Sequence, residues 1–290
     1  MSVYRANKKW LVRETAAVTS GVYSLLSMIA LWVDFTSAFS NYSTVCRIII
    51  SLGVFAGIAL LSFFICLFYL KCKNRFRVFS SETGHDISIQ FGNILDYPKM
   101  SSGDHLCSIV IPVNRCFDVI VDDTLVARSS LHGMFISSLI ASNSFSPETL
   151  NQQIQQALSD ETYDTLTREE KSKGNLKRFA TGTVVNINAG NKRFFLLGLS
   201  SFNSELKAVT RKEEYIIAIQ KLIEFCDSNA QGGEVCIPII GTGLSRVGIS
   251  KNDALHFLFH TIILYKHNLS FDITIVVPKT ERGNISLTFK

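Results

Sequence analysis

The chain begins with unusually long apolar stretches and continues with short segments in which apolar and polar positions alternate. Residues 48–69 read IIISLGVFAGIALLSFFICLFY and contain no charged residue. As a helix, this stretch is long enough to cross a hydrocarbon core of roughly 30 Å, and a helix that is apolar on every side suits lipid. We therefore predict a membrane span at about residues 48–70.

A second, less apolar stretch precedes it at residues 16–33, which read AAVTSGVYSLLSMIALWV. Trp10 and Trp32 lie near its ends, where an aromatic belt meets the membrane surface. A signal peptide is the alternative, because the stretch follows basic residues and residues 36–38 resemble a cleavage site. The closely following span favours a hairpin, with a first span at about residues 16–35.

Basic residues flank the outer ends of both predicted spans, namely Arg5, Lys8, Lys9 and Arg13 on one side and Lys71, Lys73, Arg75 and Arg77 on the other. The connecting residues 34–47 hold one base and one acid. The positive-inside rule then places both termini in the cytoplasm. We expect an inner-membrane protein with an anchor at residues 1–77 and a cytoplasmic domain at residues 78–290.

Charge divides at the same boundary. The net charge is +5 over the whole chain, but residues 1–77 carry +7 and the remainder carries −2. The basic residues therefore lie where they meet anionic lipid head groups. A nucleic-acid partner is excluded, because it requires a basic face on the soluble part.

Two further sequence features bear on redox state and assembly. The seven cysteines are odd in number and contain no C-x-x-C pair, which indicates reduced thiols in the cytosol and no disulfide or zinc site. Gly53 and Gly57 form a G-x-x-x-G motif in the second span. Small residues at that spacing let helices pack closely, so we expect a homo-oligomer.

After residue 79, strand and helix patterns alternate. The predicted strands are residues 87–91, 108–113, 180–187, 193–199, 235–240 and 271–277, with a further edge at 285–289; the predicted helices are 146–158, 206–226 and 251–265. This order predicts an α/β sandwich with a mostly parallel or mixed sheet. Ligands bind such sheets beyond the carboxyl ends of the strands.

Two strand ends carry polar chemistry. One is IPVNR at residues 111–115, and the other is IIGTGLSR at residues 239–246. Glycines around Thr242 allow a sharp turn that presents backbone N–H groups to an anion, and Arg246 could add a charge-assisted contact to phosphate. An ordinary tight turn with a solvated arginine remains the alternative.

These residues resemble a macro domain. Residues 234–262 are similar to its phosphate-loop strand and helix, residues 87–95 to its opening strand with the following turn, and residues 108–114 to a strand that ends in Asn. The resemblance covers most of residues 79–290. It implies a macro-domain-like three-layer sandwich with a mixed sheet that binds ADP-ribose or its derivatives.

The resemblance also implies a set of ligand-binding residues. Asn93 would lie near the adenine, Asn114 near the distal ribose, residues 122–133 in the first phosphate-binding loop and residues 241–246 around the distal phosphate. The predicted contacts are Asn93, Asn114, Asp122, Ser130, His132, Gly133, Gly241, Thr242, Gly243, Leu244, Ser245 and Arg246. No catalytic residue, metal or resident cofactor is expected; the ligand is an ADP-ribose derivative.

The sequence departs from the family pattern at two places. Asn93 stands where the family usually has Asp, so adenine recognition differs. Residues 129–133 read SSLHG in place of the glycine-rich loop of hydrolytic macro domains, which argues against an enzyme. Residues 143–178 look like an added polar, helical segment that forms a lid or an oligomer contact.

For several histidines and acids the residues themselves leave two interpretations open. His132 is the better candidate for ligand contact, although a structural role fits it equally. His256 and His260 share a helix face but lack the glutamate of a zinc protease. The adjacent Asp122 and Asp123 point to opposite sides of an extended chain, so a surface turn is their default. Contact of one of them with a ribose is the alternative.

A two-helix membrane hairpin joined to this domain is similar to the membrane effectors of Thoeris antiphage systems. That resemblance implies a TIR-domain partner that converts NAD into an ADP-ribose-containing signal, the histidine conjugate in effectors with spans. The macro domain would sense the signal, and the oligomerised protein would disrupt the membrane and stop growth. The alternatives are a membrane-tethered ADP-ribosyl hydrolase and a membrane scaffold for a protein partner.

Overall fold

In a computed structural model of the chain, the structure describes residues 3–30, 32–33, 40–96, 107–190, 192–243, 247–267 and 269–289. The chain divides into two compact units. One contains residues 1–74 and 281–290, and the other contains residues 75–280.

The first unit contains the helices α1 (Val3–Ala6), α2 (Lys8–Ala30) and α3 (Thr44–Cys72). Ser43 begins α3 by accepting a hydrogen bond from the backbone N–H of Cys46. Among the described helices, only α3 is long and apolar enough to cross a membrane. The expected long apolar helix is therefore present. Helix α2 covers the first predicted span and begins at Lys8. That α2 and α3 both cross a membrane stays a prediction.

Helices α2 and α3 pack through aromatic pairs. The rings of Tyr23 and Phe55 meet edge to face at 5.6 Å between centroids, and the rings of Trp10 and Tyr69 stack at 6.5 Å. A Cβ atom added at Gly53 or Gly57 would meet nothing within 4 Å among the described residues. The small-residue face of α3 is therefore uncovered in the single chain.

The carboxyl-terminal residues of the chain belong to this helical unit. The Asn7 side chain, which is 2% exposed, donates to the backbone oxygen of Ile285 at 3.0 Å and accepts from the N–H of Leu287 at 2.8 Å. The guanidinium of Arg282 donates to the backbone oxygens of Leu70 and Lys71. The predicted edge strand at residues 285–289 is wrong, because a side chain takes the hydrogen bonds that a strand would have made.

The second unit is built on a mixed sheet, as predicted. Its strands are β1 Arg75–Ser80, β2 Asp86–Phe91, β3 Cys107–Asn114, β6 Val184–Ala189, β7 Lys192–Phe202, β8 Ala208–Val209, β9 Glu234–Pro238 and β10 Ile273–Val277. They lie in the order β1-β2-β10-β9-β3-β7-β6, with β8 paired to β7. Strands β2, β10, β9, β3 and β7 are parallel, whereas β1, β6 and β8 are antiparallel to their neighbours. A separate hairpin consists of β4 (Tyr163–Thr165) and β5 (Lys177–Phe179).

Helices cover both faces of this sheet. They are α4 (Leu131–Ala141), α5 (Pro147–Ala157), α6 (Lys212–Asn229) and α7 (Lys251–Leu264). Two successive residues of β7 show that helices lie on opposite faces of the sheet, since consecutive side chains in a strand point to opposite faces. Phe194 packs against Phe135 of α4, and Phe195 packs against Phe225 of α6. The sheet is thus the middle layer of a three-layer sandwich.

Several element predictions need correction. The strand predicted at 180–187 begins at Val184, and the helix predicted at 206–226 begins at Lys212. The later start follows from a turn, in which Asn203 Oδ1 accepts the N–H groups of Glu205 and Lys207 and leads into β8. Residues 143–178 are helical only in α5, because the remainder contains β4 and an irregular segment.

Candidate functional site

A cavity of about 540 Å³ lies over the carboxyl ends of β3, β7 and β9. Small-molecule sites typically have volumes of about 300–1,000 Å³. Four segments line it, namely residues 112–114, 123–132, 199–208 and 238–243. Within these ranges, residues 128, 201, 203, 204, 240 and 242 are not part of the lining. The cavity therefore occupies the sheet edge that the sequence predicts for a ligand.

Asn114 is the most deeply placed polar side chain of this cavity. It ends β3, is 4% exposed, and its Oδ1 accepts the backbone N–H groups of Cys116 at 3.1 Å and Asp118 at 3.3 Å. Its Nδ2 atom is buried and has no hydrogen-bond partner among the described residues. An unsatisfied buried donor costs about 1–3 kcal/mol, so a ligand acceptor in the cavity would recover that cost.

The first predicted loop turns directly into helix α4. Ser130 caps α4 by accepting from the N–H of Gly133 at 2.9 Å, and its hydroxyl donates to the Ala127 oxygen at 2.6 Å. A Cβ at Gly133 would come within 2.2 Å of that oxygen. Gly133 therefore permits close packing of loop and helix, and it does not line the cavity. The N-terminus of α4, which lines the cavity through Leu131 and His132, favours negative charge.

His132 is both buried and part of the cavity wall. It is 8% exposed, and burial lowers its pKa to about 3. The imidazole is therefore neutral at physiological pH and offers one donor and one acceptor. A neutral ring beside a helix N-terminus adds no positive charge, so anion binding there rests on backbone N–H groups.

The two adjacent aspartates have different positions. Asp122 does not line the cavity; its Oδ1 accepts the N–H groups of Thr124 at 2.9 Å and Leu125 at 2.8 Å, and its carboxylate lies 3.8 Å from Lys173. Asp123 lines the cavity with a backbone φ of 63° and accepts from the N–H of Arg128. The surface-turn interpretation fits Asp122, whereas Asp123 is a wall residue that the sequence reasoning did not select.

The glycine turn after β9 forms the opposite wall. Gly241 has a φ of +88°, and a Cβ there would lie 2.8 Å from the ring of Tyr215 and 3.2 Å from Val247. Gly241 and Gly243 line the cavity, and Thr242 is half-buried beside them without lining it. The predicted contacts at Leu244, Ser245 and Arg246 lie outside the described residues.

Asn93 is placed away from the other predicted residues. It is exposed in the turn after β2, where its Oδ1 accepts the N–H of Leu95 and its Nδ2 donates to Asp96. It lies at the carboxyl edge of the same sheet, two strands from β9, but it does not line the cavity. The structure thus brings together Asn114, Ser130, His132, Gly241 and Gly243, and leaves Asn93, Asp122, Gly133 and Thr242 outside the lining.

The turn between β7 and β8 supplies a wall that sequence reasoning missed. Phe202, Glu205, Leu206 and Lys207 line the cavity there, and Leu206 has a φ of 57°. Glu205 and Lys207 form an exposed ion pair at 2.6 Å. Asn203 was the available signal, because an Asn followed by a polar pair favours a turn over the helix that was predicted there.

Two cysteines lie close together on the neighbouring strands β3 and β9. The sulfurs of Cys107 and Cys236 are 3.6 Å apart in the core, beside Glu234. Hydrogen bonding to Cys107 and burial raise the pKa of Cys236, and Glu234 already binds Arg75 at 2.8 Å and Thr274 at 2.5 Å. The raised pKa keeps the Cys236 thiol protonated at neutral pH, and both sulfurs pack in the core.

A three-layer sandwich with a mixed sheet, and a cavity over the carboxyl ends of its parallel strands, defines this protein as a macro-type domain carried by a helical unit. The family profile described as "Thoeris protein ThsA, Macro domain" matches residues 87–278. The chain therefore belongs to the ThsA macro-domain family.

The chain is also similar to individual proteins. The Thoeris protein ThsA of Bacillus amyloliquefaciens (strain Y2) is 25% identical over 259 residues, which cover 86% of this chain and 80% of that protein. Two structures of an Oceanobacillus iheyensis macrodomain are also similar. A mutant with ADPR is 15% identical, with a TM-score of 0.44, over 72% of this chain and 92% of that one. The form with ADP is 14% identical, with a TM-score of 0.44, over 72% and 90%.

Proposed function

We propose that this protein is a membrane-anchored sensor of an ADP-ribose-derived nucleotide in antiphage defence. The signal is the histidine conjugate of ADP-ribose, made from NAD by a TIR-domain partner. Binding in the macro-type domain favours an oligomer, and the clustered helices then disrupt the inner membrane and stop growth. Membership of the ThsA macro-domain family supports the class of ligand.

The single observation that carries the proposal is the unpaired Nδ2 atom of Asn114. It is a buried donor at the end of a strand, in a cavity of about 540 Å³. The N-terminus of α4 and the turn at Gly241 border the same cavity, and both kinds of backbone bind phosphate oxygens. A ribose hydroxyl on Asn114 and a diphosphate between the two loops fit this distribution of donors.

The first loop supports sensing over hydrolysis. Its Ser130 hydroxyl is engaged in capping α4 and in a bond to Ala127, and a neutral His132 stands beside it. Cys116, in the turn after β3, has its pKa raised to about 11 by burial, so it is not an activated nucleophile. The groups of this loop hold their own backbone in place, which suits binding without turnover.

The helical unit supports membrane action. Helix α3 has 29 residues, with exposed side chains over most of its length. Helix α2 beside it provides the first span of the proposed hairpin, and both termini lie in the cytoplasm. Two helices cannot enclose a pore, so membrane damage requires an oligomer. The ligand must bind the assembled state more tightly than the resting state, because equal affinity shifts no equilibrium.

Dye release from liposomes tests this function. The full chain is reconstituted in vesicles loaded with a self-quenching dye, and ADP-ribose, its histidine conjugate or NAD is added. We expect release with the conjugate, and no release from vesicles carrying Asn114→Ala. Tight binding without any release would reject the membrane effector. Absence of any nucleotide affinity would favour the scaffold, and release of ADP-ribose from a modified peptide would favour the hydrolase.

A further inference from the structure

The segment that follows α5 crosses the turn after strand β3. We call residues 159–179 the strap; it includes β4 and β5. The strap is bound to Arg115, whose Nε donates to the Phe179 oxygen at 2.8 Å and whose backbone oxygen accepts from the Phe179 N–H at 3.0 Å. Arg115 directly follows Asn114, so the strap is fastened next to the cavity.

A fully buried ion pair joins the strap to the same turn. Lys171 Nζ donates to Asp118 Oδ1 at 2.9 Å and Oδ2 at 2.8 Å, and the two side chains are 0% and 1% exposed. Lys171 also donates to the Asn175 oxygen at 2.6 Å, and the Asn175 N–H donates to Asp118 Oδ1 at 2.7 Å. Each of these hydrogen bonds joins the strap either to itself or to the turn after β3. Lys171 Nζ also lies 5.4 Å from the centre of the Phe202 ring.

The backbone of the strap is shaped to admit this pair. Gly174 has a φ of +75°, and a Cβ there would lie 2.1 Å from Asp118 Oδ1 and 2.9 Å from Lys171 Nζ. The Asn175 amide adds hydrogen bonds to the backbone oxygens of Cys116 at 3.1 Å and Phe117 at 3.3 Å. The turn at residues 115–118 is thus held along its length by strap residues.

The same turn fixes the side chain of Asn114. The N–H groups of Cys116 and Asp118 both donate to Asn114 Oδ1, which forces the other amide atom, Nδ2, to be the free donor. A continuous path of hydrogen bonds therefore leads from Lys171 through the Asp118 carboxylate and main chain to the Asn114 amide. Only the last member of this path lines the cavity.

Stability alone does not account for such a pair. Burying two charges costs several kcal/mol in desolvation, and apolar replacements of buried pairs are often neutral or stabilising. A buried pair does fix geometry, because each partner penalises any arrangement that leaves the other unpaired. Here the fixed geometry is that of the turn which orients Asn114.

We propose that Asp118 and Lys171 are positioning residues that hold the Asn114 amide for the ligand, and that the strap thereby sets the affinity of the nucleotide site. The inference rests on the proposed nucleotide binding at this cavity. Neither residue touches the ligand. The strap is then part of the binding machinery, in place of the lid or oligomer contact expected from the sequence.

The test compares Lys171→Met with a matched variant of Arg193, a residue of β7 that binds the beginning of β3. Arg193 is also buried, and its guanidinium donates to Ser108 Oγ at 2.6 Å and the Ala230 oxygen at 3.0 Å. Arg193→Met therefore removes a buried cation without touching the turn. We expect Lys171→Met to weaken the calorimetric affinity of the full chain for ADP-ribose about tenfold, the worth of one misplaced hydrogen bond, and Arg193→Met to change it less than twofold.

The double variant D118L/K171M separates positioning from stability. Apolar side chains restore buried packing, so we expect its urea midpoint to recover while its ADP-ribose affinity stays about tenfold weak. Affinity that recovers with the midpoint, or that is equal in Lys171→Met and the parent chain, would overturn the inference. Should Lys171→Met fail to fold, Asn175→Ala loosens the same turn with the ion pair intact and is expected to weaken affinity; unchanged affinity would again overturn it. A parent chain that binds no ADP-ribose would instead reject the proposed function itself.

Discussion

The ring of Tyr215 lies so close to Gly241 that no side chain fits between them. A Cβ on Gly241 would be 2.8 Å from the ring, and the Tyr215 hydroxyl donates to the neighbouring Ile240 oxygen at 3.2 Å. Tyr215 of helix α6 therefore fixes the position of the turn after β9. That turn is the part of the cavity wall that contains Gly241 and Gly243.

Gly241→Ala is expected to move that wall and to strain it. The backbone there has a φ of +88°, which costs an L-residue about 1–3 kcal/mol. We expect a comparable loss in the free energy of urea unfolding, together with weaker ADP-ribose binding. Gly243→Ala is the control for the stability measurement, because a Cβ at Gly243 meets nothing within 4 Å among the described residues. An equal loss of stability in both variants would contradict the packing argument.

The buried His132 predicts a loss of stability in acid. Its pKa is about 3 in the folded chain and about 6.5 when unfolded. Between these values the unfolded chain binds a proton that the folded chain does not, so stability is present above pH 6.5 and is lost as pH falls towards 3. At pH 5.5 the loss from this residue is about 1.4 kcal/mol.

Urea unfolding of the parent chain and of His132→Gln at pH 7.5 and pH 5.5 measures this loss of stability in acid. We expect the variant to lose less stability than the parent chain over that interval. His267→Gln, at a side chain that is 63% exposed, is the matched control and should follow the parent. A parallel loss in all three chains would show that His132 is not the group responsible.

Asn7→Ala is expected to release the carboxyl-terminal residues. The change removes both hydrogen bonds to the backbone of residues 285 and 287 and leaves buried partners unsatisfied, at a cost of about 2 kcal/mol. Hydrogen exchange of the full chain in detergent should show faster exchange at residues 281–289. Ser27→Ala, which removes an exposed bond within α2, should leave that exchange unchanged, and protection that survives Asn7→Ala would refute the anchoring role.

Gly57→Leu tests the helix face that is open in the single chain. Close helix approach depends on small residues, and the space at Gly57 is free of described atoms within 4 Å. We expect the variant to bind ADP-ribose normally but to lose ligand-dependent cross-linking in liposomes. Val45→Leu, at the exposed first turn of α3, should cross-link like the parent. Normal cross-linking of Gly57→Leu would place the oligomer contact elsewhere.

The elements that sequence reasoning recovered are those with strong local signals. Ser146 before Pro147 and Ser250 before Lys251 both cap helices in the structure, as their side-chain hydrogen bonds show. The buried strand at residues 108–113 was found because a parallel strand covered on both faces is continuously apolar. Helix α4 was missed, since its sequence LHGMFISSLIA has apolar residues on all sides and therefore lacks the periodicity that indicates a helix.

Part of the predicted site comes together at one edge of the sheet for a related reason. Asn114 and the glycines at 241 and 243 follow buried strands, so strand order alone brings them to one edge. Asn93 follows β2, which lies two strands away from β9, and linear spacing does not reveal that distance. Lys171 and Asp118 are 53 residues apart, and their pairing depends on tertiary packing that no local pattern encodes.

The most direct test of the account is calorimetric titration of the purified full chain, in detergent micelles, with ADP-ribose, its histidine conjugate and NAD. The account predicts saturable binding of an ADP-ribose species with no product formed, strongest for the conjugate and reduced at least tenfold by Asn114→Ala. Absence of heat with all three nucleotides, or binding that Asn114→Ala leaves unchanged, would contradict it.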